Sequence, residues 1–263
     1  MTYFRSIFKK LPRTAFSVFL IASLVGVASF FPQTIASISW KWLHVSRPAL
    51  FFSDDAQFLF AIGNYYFGQG AYDVDHARLF FARALKLDSD LLGPRYQLAR
   101  IYFLRSDFIA ATRFADKELA LHPDFKRTHY VRGLIYGYSG RLSSAVVEFQ
   151  EFLKWNPQSW AGRNDLAWIY FQQGKFDDAA KIAQEGLRLA PSNTWLLTMR
   201  GVSLLNLGKK AEAKIALTQA KAEAEKLSPQ TWGEAYPGNN PSLYSKGLAD
   251  MQSTIQRNLE LLK

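Results

Sequence analysis

Four histidines, His44, His76, His122 and His129, are the first places to look for metal or acid–base chemistry. No two of them stand at the His-Glu-x-x-His spacing that sets a pair of imidazoles on one helix face around zinc. His122 precedes a proline at an expected helix end and His129 opens a helix, positions suited to capping or surface roles. The chain has no cysteine, which excludes disulfides, zinc ribbons and thiol nucleophiles. The adjacent carboxylates Asp54-Asp55 and Asp177-Asp178 fall at expected helix starts, where the helix dipole favours negative charge. Gly137-Tyr138-Ser139-Gly140 resembles a hydrolase nucleophile turn only superficially, because a periodic pattern assigns it to an inter-helix turn. No phosphate-cradling P-loop or GxGxxG segment is present. We therefore expect no catalytic residue, no metal site and no cofactor, and expect function to lie in binding.

The elements that would position binding residues repeat. A small residue recurs at Ala99, Gly133 and Ala167, 34 positions apart each time, and Ala111, Ala145 and Ala179, then Pro123, Pro157 and Pro191, keep the same step. A fixed period of this size marks a solenoid in which each unit buries its apolar face only against its neighbours. Within a unit, apolar residues such as Leu98, Ile101, Tyr102 and Leu104, then Phe108, Ala111, Phe114 and Ala115, stand at helical spacing. Each unit thus reads as two helices, with turns at Gly70, Ser106, Gly140, Gly174 and Gly208. Small residues in the first helix (Gly63, Ala99, Gly133, Ala167, Gly201) and in the second (Ala77, Ala111, Ala145, Ala179, Ala213) set where two helices approach closely. The tyrosines Tyr102, Tyr136 and Tyr170 would wedge against the neighbouring helix.

These residues resemble the tetratricopeptide-repeat (TPR) family, whose pattern is Trp-x2-Leu-Gly-x2-Tyr, Ala-x3-Phe and Pro. One unit carries Gly133, Tyr136, Ala145, Phe149 and Pro157; another carries Ile62, Gly63, Tyr66, Ala77 and Phe81. The family's first tryptophan is replaced throughout, by Leu59, Arg95, His129, Arg163 and Leu197. The resemblance implies an all-α fold, an α-α superhelical solenoid of about five TPR helix pairs over residues 55–227. It also implies a concave face lined by the first helix of each pair, where peptides bind in this family. Carried over by register, that lining is Phe60, Asn64, Phe67, Tyr96, Arg100, Phe103, Arg127, Tyr130, Asn164, Trp168, Phe171 and Trp195. About half of these rings are expected to pack between helices. The family's carboxylate clamp is not implied, since Phe60 stands where its lysine belongs and Gln97 replaces an asparagine. An apolar or aromatic peptide oriented by Arg100 and Arg127 is the expected ligand.

The flanks read differently. Six bases and no acid lie in residues 1–53, leaving 26 of the 32 bases to face all 22 acids, so the formal charge of +10 is concentrated before the repeats. A near-balanced repeat region argues against a nucleic-acid partner. Residues 1–13 read as a basic cytoplasmic segment and 14–38 as a transmembrane helix, since Ala15 to Ile38 would span about 36 Å. Trp40 and Trp42 would sit at the lipid–water boundary. The alternative is a secretory signal cleaved near Ala28. Residues 39–54 read as a linker with Ser53 and Asp54 offering N-cap oxygens, 228–247 as a Pro/Gly loop whose aromatic rings fold back on the last repeat, and 248–263 as a capping helix. The expected molecule is a single-pass membrane-anchored scaffold or adaptor with extracytoplasmic repeats. It resembles bacterial envelope repeat proteins that assist secretion, pilus or envelope-complex assembly. The alternatives are a secreted or periplasmic repeat protein and a regulatory subunit of an enzyme complex.

Overall fold

A computed structural model of the chain describes residues 31–69, 72–236 and 240–263. Fourteen α-helices, one π-helical turn, one 3-10 turn and no strand occur among them. The helices fall into two compact units.

The first unit contains α1 (Pro32–Leu43), α2 (Arg47–Phe52), α3 (Ala56–Asn64) and most of α4 (Val74–Leu87). Most of the expected membrane span, residues 14–30, lies outside the described residues. Its far end departs from the expectation. Phe31, the N-cap residue, is non-helical (φ −135°, ψ 54°), and α1 starts at Pro32, where the missing N–H costs nothing. Ala36 is buried with Ala49, Leu59, Ile62, Phe80 and Ala84, so this end of the run packs on protein. Trp40 does not lie free at an interface but meets Tyr65 edge-on at 5.1 Å, whereas Trp42 is exposed. No helix among the described residues is long and apolar enough to cross a membrane. The expected linker holds α2, and the carboxylate of Asp55, rather than Ser53 or Asp54, caps α3 by accepting from the Phe58 N–H at 2.9 Å.

The second unit holds four helical hairpins: α5 (Pro94–Leu104) with α6 (Phe108–Leu121), α7 (Arg127–Tyr138) with α8 (Leu142–Trp155), α9 (Trp160–Gln172) with α10 (Phe176–Leu189), and α11 (Thr194–Asn206) with α12 (Lys210–Ala224). Ala99, Ala111, Ala145, Ala167, Ala179 and Ala213 are all fully buried. At the glycines, closest approach is made by the large residue four positions after the second small one. A methyl on Gly133 would stand 2.9 Å from the Phe149 ring, and one on Gly201 would stand 2.6 Å from Leu217. The 34-residue step thus places a knob against a hole in each hairpin. Tyr102 stacks on Phe114 at 5.3 Å, and Tyr136 lies beneath the Arg141 guanidinium at 4.1 Å.

Turns at Gly140, Gly174 and Gly208 have φ between 73° and 80°. Their hairpin counterpart Ser106 is held at φ 58°, a left-handed conformation in which a Cβ is strained. We expect Ser106→Gly to raise unfolding free energy by about 0.5–1 kcal/mol, read as a higher urea midpoint at unchanged slope. An unchanged midpoint would show the strain to be absorbed locally.

The C-terminal part holds α13 (Pro229–Glu234), a 3-10 turn (Pro241–Leu243) and α14 (Tyr244–Glu260). The segment read as a loop is therefore partly helical, and the last helix starts before residue 248. Ile255, Met251 and Leu259 join the cluster of Leu187, Leu196, Leu197 and Ala224, covering the apolar side of the last hairpin.

Candidate functional site

In α5, Tyr96, Arg100 and Phe103 recur at four- and three-residue steps, which places them on one helix face. In α7 the same spacing collects Arg127, Tyr130, Leu134 and Tyr138; α9 contributes Asn164, Asp165 and Trp168, and α11 contributes Trp195 and Met199. These residues line a single cavity of about 720 Å³ within the second unit. Trp232, Ala235 and Tyr236, from the segment after the last hairpin, form another wall. A larger open depression of about 1000 Å³ beside Ile109 and Thr112 has no buried polar group among its lining residues.

Eight of the twelve residues assigned to the groove by register line this cavity: Tyr96, Arg100, Phe103, Arg127, Tyr130, Asn164, Trp168 and Trp195. Phe60 and Asn64 belong to the first unit, where Phe60 packs against Phe81 at 5.7 Å. Phe67 is buried under the Arg100 guanidinium, 4.6 Å from its ring, and Phe171 packs on Phe176 at 5.1 Å. The α5, α7, α9 and α11 faces thus meet at one cavity, while register alone does not distinguish a cavity ring from a hairpin ring.

The most polar point of the cavity was missed. Asp165 is 9% exposed and accepts from the Tyr130 hydroxyl at 2.5 Å through Oδ2, and at longer range from the Tyr236 hydroxyl (3.4 Å) and Asn164 Nδ2 (3.4 Å) through Oδ1. Burial lifts its pKa to about 6, opposed by the hydroxyl and amide donors. Burial, and next the Asp165 charge, push the Tyr130 and Tyr236 hydroxyls well above the ordinary phenol value, so both remain donors at neutral pH. Only an aspartate beside an asparagine on the inward face of α9 (Asn164-Asp165) signalled this site. Tyr138, read as a turn residue, packs against Trp168 with ring centres 4.8 Å apart and planes tilted by 33°, and is likewise part of the wall.

At the cationic side, Arg100 donates to Gln97 Oε1 at 2.7 Å, and burial lowers its pKa. Its guanidinium also lies 5.8 Å from the Tyr96 ring centre, which Arg127 approaches at 6.0 Å. His129 serves structure: its Nδ1 lies 2.8 Å from Glu148 Oε2, and Arg132 bridges Glu148 and Asp116 at 3.2 Å each, tying α6, α7 and α8 together. No cluster of three or more His, Cys, Asp or Glu that could hold a metal occurs among the described residues.

Residues 130–194, from within α7 to the first residue of α11, match a family model described as "Tetratricopeptide repeat". The TPR repeat-containing protein YpiA of Bacillus subtilis is 27% identical over 165 residues, covering 62% of this chain and 38% of that one. The chain spans about a third of the length of the first curated relatives it matches, 31% and 38%. Among solved structures, PilW, described as a widely conserved type IV pilus biogenesis factor, superposes with a TM-score of 0.60 at 16% identity, over 78% of this chain and 92% of that one. YrrB, described as a TPR protein with an unusual peptide-binding site, superposes with a TM-score of 0.55 at 17% identity, over 66% and 88%. These matches support the tetratricopeptide-repeat family for this chain, and the superpositions establish the shared helical-repeat fold.

Proposed function

We propose that this protein is a non-catalytic scaffold that holds a protein partner by a peptide segment in the cavity of the α5–α12 hairpins. One observation carries the reading. Two arginines, a buried aspartate and a continuous set of aromatic rings from four successive hairpins converge on one cavity of about 720 Å³. Aromatic and arginine side chains are the types that dominate binding energy at interfaces. The peptide-binding site named for YrrB supports this reading, and the pilus role named for PilW makes envelope-complex assembly a concrete setting for it.

We further propose attachment to a membrane through the part of the expected 14–38 span that precedes α1, with a cytoplasmic N-terminus and the repeats on the opposite side. Support comes from the charge-free run Thr14 to Trp40 and the six bases that flank it. Because α1 begins at Pro32, the part of the run before it is about 18 residues, near the lower limit for a spanning helix. This shorter length also keeps cleavage near Ala28 in play. N-terminal sequencing of the mature protein separates the two outcomes.

The groove is tested by crosslinking in intact membranes followed by capture with the double variant Arg100→Ala/Trp168→Ala. Removing two hot-spot types should lower partner capture by at least about ten-fold while the thermal midpoint remains within a few degrees of wild type. Undiminished capture by a folded variant would place the binding site elsewhere.

A further inference from the structure

Tyr236 sits in the cavity in the manner of a ligand. Its hydroxyl accepts from Asn164 Nδ2 at 2.9 Å and donates toward Asp165 Oδ1 at 3.4 Å. Its ring meets Trp160 at 5.5 Å and Trp195 at 6.1 Å, near edge-on to both, and the two indoles are 5.6 Å apart. One side chain thus reaches two helices, α9 and α11, that precede it by many residues.

Its neighbours in sequence are anchored elsewhere. Gly233 fits against the Tyr244 ring and Gly247 against the Trp232 ring, so α13 is seated on α14 through close contacts that a methyl at either glycine would disrupt. Ser228 caps α13 by accepting from the Thr231 N–H at 3.0 Å. From this segment, the strap, the Tyr236 hydroxyl hydrogen-bonds across to α9. The following sequence, Pro237-Gly238-Asn239-Asn240-Pro241, consists of residue types that favour turns.

The floor under the phenol is also incompletely matched. Asn164 is 8% exposed, lines the cavity, and its Oδ1 has no hydrogen-bond partner. A buried acceptor left unpaired is costly, and a ligand that brings an additional donor, such as a backbone N–H beside its tyrosine, would satisfy it.

We propose that the Trp160–Trp195 cleft, floored by Asn164 and Asp165, is a tyrosine-recognition subsite held in cis by Tyr236 and yielded to a tyrosine in a partner's peptide. The proposal rests on the groove reading above and specifies both its ligand chemistry and its resting state. Charge complementarity selects the partner's surroundings. Arg100 and Arg127 line the same cavity and favour an acidic residue near the tyrosine. An intramolecular phenol competes at high effective concentration, so the free protein binds such a peptide only to the extent that the strap is displaced.

The test uses the full chain and a fluorescein-labelled peptide with the sequence of residues 230–240, followed by anisotropy. Tyr236→Ala should bind this peptide about ten-fold more tightly than wild type, because the competing side chain is gone. A peptide carrying phenylalanine in place of its tyrosine should bind about ten-fold more weakly, since it leaves Asp165 and Asn164 without a hydroxyl. Should Tyr236→Ala fold poorly by circular dichroism, Tyr236→Phe retains the ring and should show a smaller gain in the same direction. Equal affinities for wild type and both variants, or for the tyrosine and phenylalanine peptides, would overturn the proposal. That failure is distinct from failure of the groove reading, which is judged by native partner capture with Arg100→Ala/Trp168→Ala.

Discussion

Replacing Asp165 by asparagine should remove a pH dependence from the protein's stability. The carboxyl is raised from its ordinary 3.8 to about 6 in the folded chain, chiefly by burial. The folded state therefore binds this proton more tightly than the unfolded chain does. The stability it confers is complete below about pH 4 and is lost as pH rises through about 6. The shift corresponds to about 3 kcal/mol across that window. Tyr130, Tyr138 and Tyr236, which face it, remain protonated there, since a phenol titrates well above this range and burial raises all three further. Urea unfolding of wild type and Asp165→Asn at pH 4, 5, 6 and 7 should thus show the variant gaining on wild type by about 2 kcal/mol between the first and third points, with a few tenths more by pH 7. Parallel curves throughout would mean that the carboxylate is solvated in the folded protein. The asparagine retains one acceptor for Tyr130, so the comparison isolates charge from shape.

Phe149→Ala should be the more damaging change. Phe149 is fully buried, fills the space over Gly133, and lies 5.7 Å from the Tyr130 ring. Truncating a buried phenylalanine costs about 3–5 kcal/mol, a large part of what a domain of this size has to lose. A second substitution shows whether the glycine exists for this ring. Gly133→Ala alone should destabilise, because its methyl would stand 2.9 Å from Phe149. In the Phe149→Ala background the same change should stabilise by about 1 kcal/mol, since the clash is gone and alanine is the better helix former. A cycle in which Gly133→Ala has the same effect in both backgrounds would sever the proposed link. Because Tyr130 donates to Asp165, loosening Phe149 should also weaken peptide binding in whatever fraction remains folded.

The hairpins were legible because their cause is periodic. A small residue every 34 positions that must accept the paired helix leaves a trace in the chain whatever the partner, and Gly133 and Gly201 meet a phenylalanine and a leucine there. Eight groove positions were legible for the same reason, since Tyr96, Arg100, Tyr130 and Trp168 occupy equivalent faces of successive first helices. Phe171 was misassigned because a ring in the last turn of a first helix can reach either the groove or its own hairpin, and Phe176 holds it in the hairpin. Helix α1 was obscured by composition: residues 32–38 continue an apolar run, and apolarity alone does not distinguish packing on lipid from packing on Leu59 and Ile62.

The local chemistry of the repeat, small residue, aromatic, turn and proline at constant offsets, determined helix pairing and the order of hairpins on its own, because each contact joins residues within one or two units. Asp165 became the polar focus of the cavity only in three dimensions. Its burial depends on Tyr130 one hairpin earlier and on Tyr236 71 positions later, and no short-range pattern encodes a contact across that separation. The strap's return to the groove was decided the same way, by a cleft between Trp160 and Trp195 that exists only once α9 and α11 are stacked.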